Sequence, residues 1–210
     1  MAEDKFRKTL RSFLMLLLAL VSVEEAVAQH SGFTELTNLV EFKKKFAEEG
    51  KKILSIRSSF RQEKTLSMLE EKIISEGKFN YKREKKVRLE YQKPFRYLLI
   101  INGDQLLIRD DQKESRISAS SSKLFQQINR IIVDCVNGAI LDNKDFSPRV
   151  FQNEKMYLLE MSPTSKAIKD FFQKISVLVD KKDWTVVNIT LLEPGSDNTI
   201  ILFTDKVIND

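Results

Sequence analysis

Cysteine, histidine and glycine are all scarce in this sequence, and each scarcity removes a class of chemistry. One cysteine, Cys135, in 210 residues leaves no internal disulfide and no cysteine-based metal cluster. The one histidine, His30, lies near the N-terminus, where a chain is usually loosely held, so it is a poor base or metal ligand. Six glycines leave little material for a phosphate-cradling loop. No G-x-S-x-G, Walker A, H-E-x-x-H or dinucleotide fingerprint occurs. The acidic pairs Glu70-Glu71 and Asp110-Asp111 sit near turns and read as solvated charge. The chain is therefore not expected to be an enzyme, and no cofactor or metal is expected.

Long apolar runs are lacking as well. The longest, FLMLLLALVSV at residues 13–23, is 11 residues, short of the roughly 20 that cross a bilayer as a helix. Lys5, Arg7, Lys8 and Arg11 precede it, and Ala26-Val27-Ala28 follows. A basic start, a short apolar run and an A-x-A end describe a secretory signal peptide over residues 1–28. The remainder, 29–210, is long enough for one domain with a core of its own. No cysteine follows the apolar run, so no lipid attachment is expected there. A secreted chain of this size without disulfides suits a bacterial envelope, and a soluble periplasmic protein is the expectation. The net charge of +5 is mild and interspersed. It fits an acidic partner or an anionic membrane surface, not nucleic acid.

What the sequence does have is alternation. In SEGKFNYKREKKVRLEYQKPF, residues 75–95, Gly77, Phe79 and Tyr81 fall on one side, against Glu76, Lys78, Asn80 and Lys82. After a charged turn, Val87, Leu89 and Tyr91 oppose Arg88, Glu90 and Gln92. This predicts a β-hairpin with one aromatic, apolar face and one charged face. Residues 34–52 have helical spacing, with Gly50 as a stop, and residues 54–61 alternate as a strand. Residues 64–70 read as a turn. Asn102-Gly103 between two apolar runs is a strong hairpin signal. Leu124, Ile128, Ile131, Ile132, Cys135, Val136 and Ala139 then mark one amphipathic helix, with Gly138 at its C′ position. Residues 143–151 read as a loop. Strands are expected at 156–161, 171–179, 184–192 and 199–204. The total is nine or ten strands and two or three helices, an α+β chain whose antiparallel sheet curls toward a barrel.

Fourteen phenylalanines raise the question of what the apolar face is for. Phe60, Phe79, Tyr81, Leu89 and Tyr91 share one face of neighbouring strands, and the helix at 124–139 offers a matching stripe. Cys135 lies on that stripe as a small apolar side chain. The pattern fits a filled core, and it also fits the wall and lid of an apolar cavity.

A resemblance bears on that choice. Ser59-Phe60-Arg61-Gln62, then residues 77–83, then residues 88–94, then Ile101-Asn102-Gly103 resemble in order and spacing the periplasmic outer-membrane lipoprotein carrier family, the LolA-like proteins. Met161-Ser162-Pro163 and the alternating strands over residues 175–203 extend the likeness from Leu36 to Phe203. Leu89 stands where many carriers have tryptophan, and Glu84 where a proline is usual. The resemblance implies an incomplete β-barrel closed by helices over an apolar cavity. It implies a monomeric carrier whose cargo is the acylated end of a lipoprotein, or a related lipid. The cargo would be taken from an inner-membrane ABC transporter and handed to an outer-membrane acceptor. A lipid- or lipoprotein-sensing regulatory domain of the same architecture is the alternative. On this reading Phe60, Phe79, Tyr81, Leu89 and Tyr91 form the wall, and Leu124, Ile128, Ile131 and Ile132 form the lid. Arg83 is the candidate latch, because a guanidinium offers five donors to backbone carbonyls.

Overall fold

A computed structural model describes residues 32–69, 71–84, 86–103, 105–118 and 123–210. The expected leader, residues 1–28, and His30 lie outside the described residues. Residues 35–210 make one compact unit. The strands are β1 (Thr34–Glu35), β2 (Ser55–Leu66), β3 (Glu71–Lys82), β4 (Lys86–Lys93), β5 (Tyr97–Asn102), β6 (Gln105–Asp110) and β7 (Glu114–Ser118). They continue as β8 (Phe146–Gln152), β9 (Met156–Pro163), β10 (Lys174–Asp180), β11 (Val186–Leu192) and β12 (Asn198–Ile208). The helices are α1 (Leu39–Gly50), α2 (Lys123–Val136) and the single turn α3 (Lys166–Lys169).

The twelve strands form one sheet in the order β1-β8-β9-β10-β11-β12-β2-β3-β4-β5-β6-β7. The ladders running from β8 to β7 along this order are antiparallel. Short hairpins account for most neighbours. The exception is β12 against β2, which joins the end of the chain to its first long strand. The edges β1 and β7 do not pair with each other, so the sheet stays open. The α+β class and the incomplete barrel are thus as the sequence suggests.

Three local expectations change. The turn expected at 64–70 is shorter, residues 67–69: β2 runs to Leu66 and pairs with β3 back to Glu71, which lengthens the hairpin. Residues 146–152 are a strand and not a loop, with Phe146, Val150 and Phe151 buried. Pro148 is tolerated there because the two-residue β1 covers only part of that side of β8. Phe171 and Phe172 follow α3 before β10 begins at Lys174.

The helices sit on the sheet's apolar face. Asn38 caps α1: its side-chain oxygen accepts from the Glu41 N–H at 3.1 Å, and its amide donates to the Glu41 carboxylate at 2.8 Å. Phe42 and Phe46 of α1 pack against Tyr157 and Trp184. One buried cluster joins α1 to β8–β11, and a second joins α2 to β2–β6. Ile131 and Cys135 of α2 belong to the first and Val133 and Val136 to the second, so α2 spans both.

Two glycines let the C-terminal ends of α1 and α2 touch. Gly138 takes the positive φ of 71° that ends α2. A Cβ there would lie 2.2 Å from the Phe46 carbonyl oxygen, and one on Gly50 would lie 2.3 Å from the Asn137 carbonyl.

Candidate functional site

The expected wall begins at a cross-strand pair. Phe60 on β2 lies opposite Gly77 on β3, and its ring edge is 2.8 Å from where a Gly77 Cβ would stand. Glycine therefore lets the ring lie flat on the strand. Tyr91 meets Phe60 edge-on at 4.9 Å between centroids, and its hydroxyl donates to Gln62 Oε1 at 2.9 Å. Burial, with a smaller contribution from Tyr97, pushes the Tyr91 phenol up to about 12. Phe79 packs at 5.4 Å on Phe203 of β12.

Between this wall and α2 lies an apolar slot of about 80 Å³. Phe60, Phe79, Leu89 and Tyr91 line it from the sheet, with Ile189, Ile201 and Phe203. Ile132, Cys135 and Val136 line it from α2. A void of about 10–15 Å³ holds one water, so the slot has room for several waters. It is far too small for a full acyl chain. The interior is mostly filled by the protein's own side chains.

Tyr81 is buried but does not line the slot. Its hydroxyl donates to Asn137 Oδ1 at 2.7 Å, tying β3 to the residue after α2. Its phenol is raised because burial outweighs the Arg83 charge and the Asn137 hydrogen bond. Ile131 packs in the cluster with Phe42 and Phe46. The side chains of Leu124 and Ile128 lie outside the described residues, although the backbone there is helical.

Arg83 is exposed, and its guanidinium donates to two backbone carbonyls, those of Lys51 and of Ile53, the latter at 3.2 Å. Both carbonyls lie in the segment leaving α1, not on α2. Arg83 makes neither of these bonds to α2 itself; the segment it holds leaves α1, whose end touches the end of α2 at Gly50 and Gly138.

Sequence reasoning missed the polar end of the slot. β12 carries a bulge between Thr204 and Val207, with Asp205 at a φ of 52°. The bulge shifts the strand's alternation, so Lys206 turns inward and lines the slot with Thr185 and Ser58. The Lys206 ammonium donates to Thr185 Oγ1 and to Asp183 Oδ2, the latter at 3.4 Å. Burial raises the Asp183 carboxyl, but hydrogen bonds from Thr185 and the Lys206 charge outweigh it and hold it below its ordinary value. The sole thiol, Cys135, is pushed up to about 12 by burial and, second, by Asp134.

The family model described as outer membrane lipoprotein carrier protein LolA matches residues 51–209. No curated protein sequence matches the chain. Among similar solved structures, a LolA superfamily protein from Nitrosomonas europaea is 12% identical with a TM-score of 0.42, over 80% of this chain and 94% of that one. The Pseudomonas aeruginosa MucA/MucB complex gives 12% identity and a TM-score of 0.48, over 81% of this chain and 56% of that one. The lipoprotein LppX of Mycobacterium tuberculosis gives 8% and 0.42, over 80% and 94%.

Proposed function

The chain belongs to the outer membrane lipoprotein carrier family, and from that premise we propose that it is a periplasmic carrier of acyl chains. The interior between the sheet and α2 takes up the acyl chains of a lipoprotein or a related lipid. Residues 1–28 act as the leader that exports it, and 29–210 are the carrier domain. The observation that carries this reading is the apolar slot shared by Phe60, Phe79, Leu89 and Tyr91 with Ile132 and Val136.

Energetics explain why no catalytic group is needed. Burying a methylene contributes about 0.8 kcal/mol, so a chain of about 15 methylenes in water costs roughly 12 kcal/mol. Three such chains exceed the roughly 20 kcal/mol at which non-covalent affinities saturate. A carrier works by offering surroundings about as apolar as the membrane, so that each handover is nearly neutral. An ABC transporter on the inner membrane supplies the work of extraction, and an outer-membrane acceptor with a better site draws the cargo off.

The slot must widen to admit a chain, and α2 is the element that moves. It carries one side of the slot, and its C-terminal end is held by Tyr81 and by the glycine contact with α1. The test is release of newly made lipoproteins from spheroplasts into the medium when purified protein is added. Release that depends on the protein and on ATP supports the carrier; binding of acylated peptide without release favours a sensing role instead.

A further inference from the structure

The slot is not apolar throughout, and its polar end is built. Ser58 is 5% exposed, lines the slot, and its hydroxyl finds no hydrogen-bond partner among the described residues. Ser58 lies on β2 one residue from Ser59, which pairs with Thr204, and one from Arg57, which pairs with Val207. It therefore stands opposite the β12 bulge that turns Lys206 inward. An ammonium has three donors. Asp183 and Thr185 accept two of them.

From this juxtaposition we infer that Ser58 and Lys206 form a carbonyl-binding subsite for the polar end of an acyl chain. At this end of a greasy slot the ammonium can only donate and the unpartnered Ser58 hydroxyl can donate beside it, so a ligand atom that meets both is an acceptor. The Lys206 charge is already balanced by Asp183. A free carboxylate would add an unbalanced charge in an apolar setting, so a neutral ester or amide carbonyl is the better fit. The chain extends from this end along Phe60, Phe79 and Leu89. An ester-linked glycerolipid chain and an amide-linked N-acyl chain present the same acceptor.

This inference rests on the acyl-binding reading above, and the test separates the two. Displacement of 1-N-phenylnaphthylamine from the purified protein is measured with hexadecane, palmitate, methyl palmitate and N-methylpalmitamide. The expected order is methyl palmitate and the amide tightest, ahead of palmitate and hexadecane. Ser58→Ala should weaken the ester and amide about fivefold, the effect of one lost hydrogen bond, and leave hexadecane unchanged. Its melting temperature should hold or rise, because a buried hydroxyl without a partner is removed. Lys206→Met paired with Asp183→Asn should weaken both carbonyl ligands about tenfold or more. Ester tighter than amide, or the reverse, identifies which acyl linkage the subsite prefers. Equal affinity of all four compounds, unchanged by either variant, would overturn the subsite while leaving acyl binding intact. Failure of every compound to displace the probe would sink the subsite together with the carrier reading.

Discussion

If α2 opens away from the sheet, replacing Tyr81 by phenylalanine should loosen it by a predictable amount. The substitution removes the 2.7 Å hydrogen bond from Tyr81 to Asn137 and leaves the buried ring in place. A hydrogen bond of this kind contributes about 1 kcal/mol, equivalent to roughly a fivefold change in an equilibrium constant. The bond joins strand to helix end, so it exists only in the closed form. Cys135 is a built-in reporter of opening. It is the one cysteine of the chain, it is buried on the slot side of α2, and its thiol is held up near 12. In the closed form it should not react with a small maleimide at about pH 8, whereas an exposed thiol near its free value of about 8.5 should.

Labelling of Cys135 should therefore be limited by opening, and Tyr81→Phe should speed it about fivefold. The melting temperature should fall by only about 2–4 °C. Urea separates local from global routes. Opening of α2 exposes less surface than global unfolding, so the labelling rate should depend on low urea less steeply than unfolding does. If acyl binding selects the open form, affinity should rise by up to the same factor of about five. An unchanged labelling rate in Tyr81→Phe would refute the reasoning. So would a rate that climbs from the outset with the full urea dependence of unfolding.

The other side chains give further expectations. Arg83→Leu removes two donors to the carbonyls after α1; labelling of Cys135 should quicken with a change in melting temperature of under about 4 °C, since the arginine is exposed. A larger melting loss with unchanged labelling would make Arg83 a structural residue only. Gly138→Ala places a Cβ 2.2 Å from the Phe46 carbonyl at a φ of 71°. It should cost more than about 1 kcal/mol and show as a lower urea midpoint. Asp183 has a folded-state value below its ordinary 3.8, so its stabilising effect is present above that value and is lost as pH falls through the lower folded one. Asp183→Asn should thus be less stable than the parent at about pH 6, and the gap in melting temperature should narrow as pH falls below 3.8.

How much of this could be read from the sequence depends on period. The β3–β4 hairpin was legible because Phe79, Tyr81, Val87 and Leu89 keep strict alternation, and Asn102-Gly103 marks a turn by its chemistry alone. The α2 stripe was legible for the same reason at a period of 3.6. β8 was not, because Pro148 and the polar residues before it read as a loop; only the partial cover by β1 makes room for a proline there. Lys206 was invisible because a bulge at Asp205 breaks the alternation, and by strict period-2 counting it would not share the inward face of Phe203. The Gly50–Gly138 contact brings together positions far apart in sequence, which no local window reports. Of the wall, Phe60, Phe79, Leu89 and Tyr91 do share one slot, whereas Tyr81, in phase with them, is drawn to Asn137 instead.

The most direct test of the central claim is native mass spectrometry. The protein would be exported to the periplasm of a bacterium with two membranes, purified without detergent, and its bound material extracted into organic solvent. The account predicts a mass increment from an acyl lipid or acylated peptide, absent when Phe79, which lines the slot, is replaced by aspartate in a variant that still folds. A clean unliganded mass, with no uptake of added acylated peptide, would contradict it and make the apolar face an ordinary core.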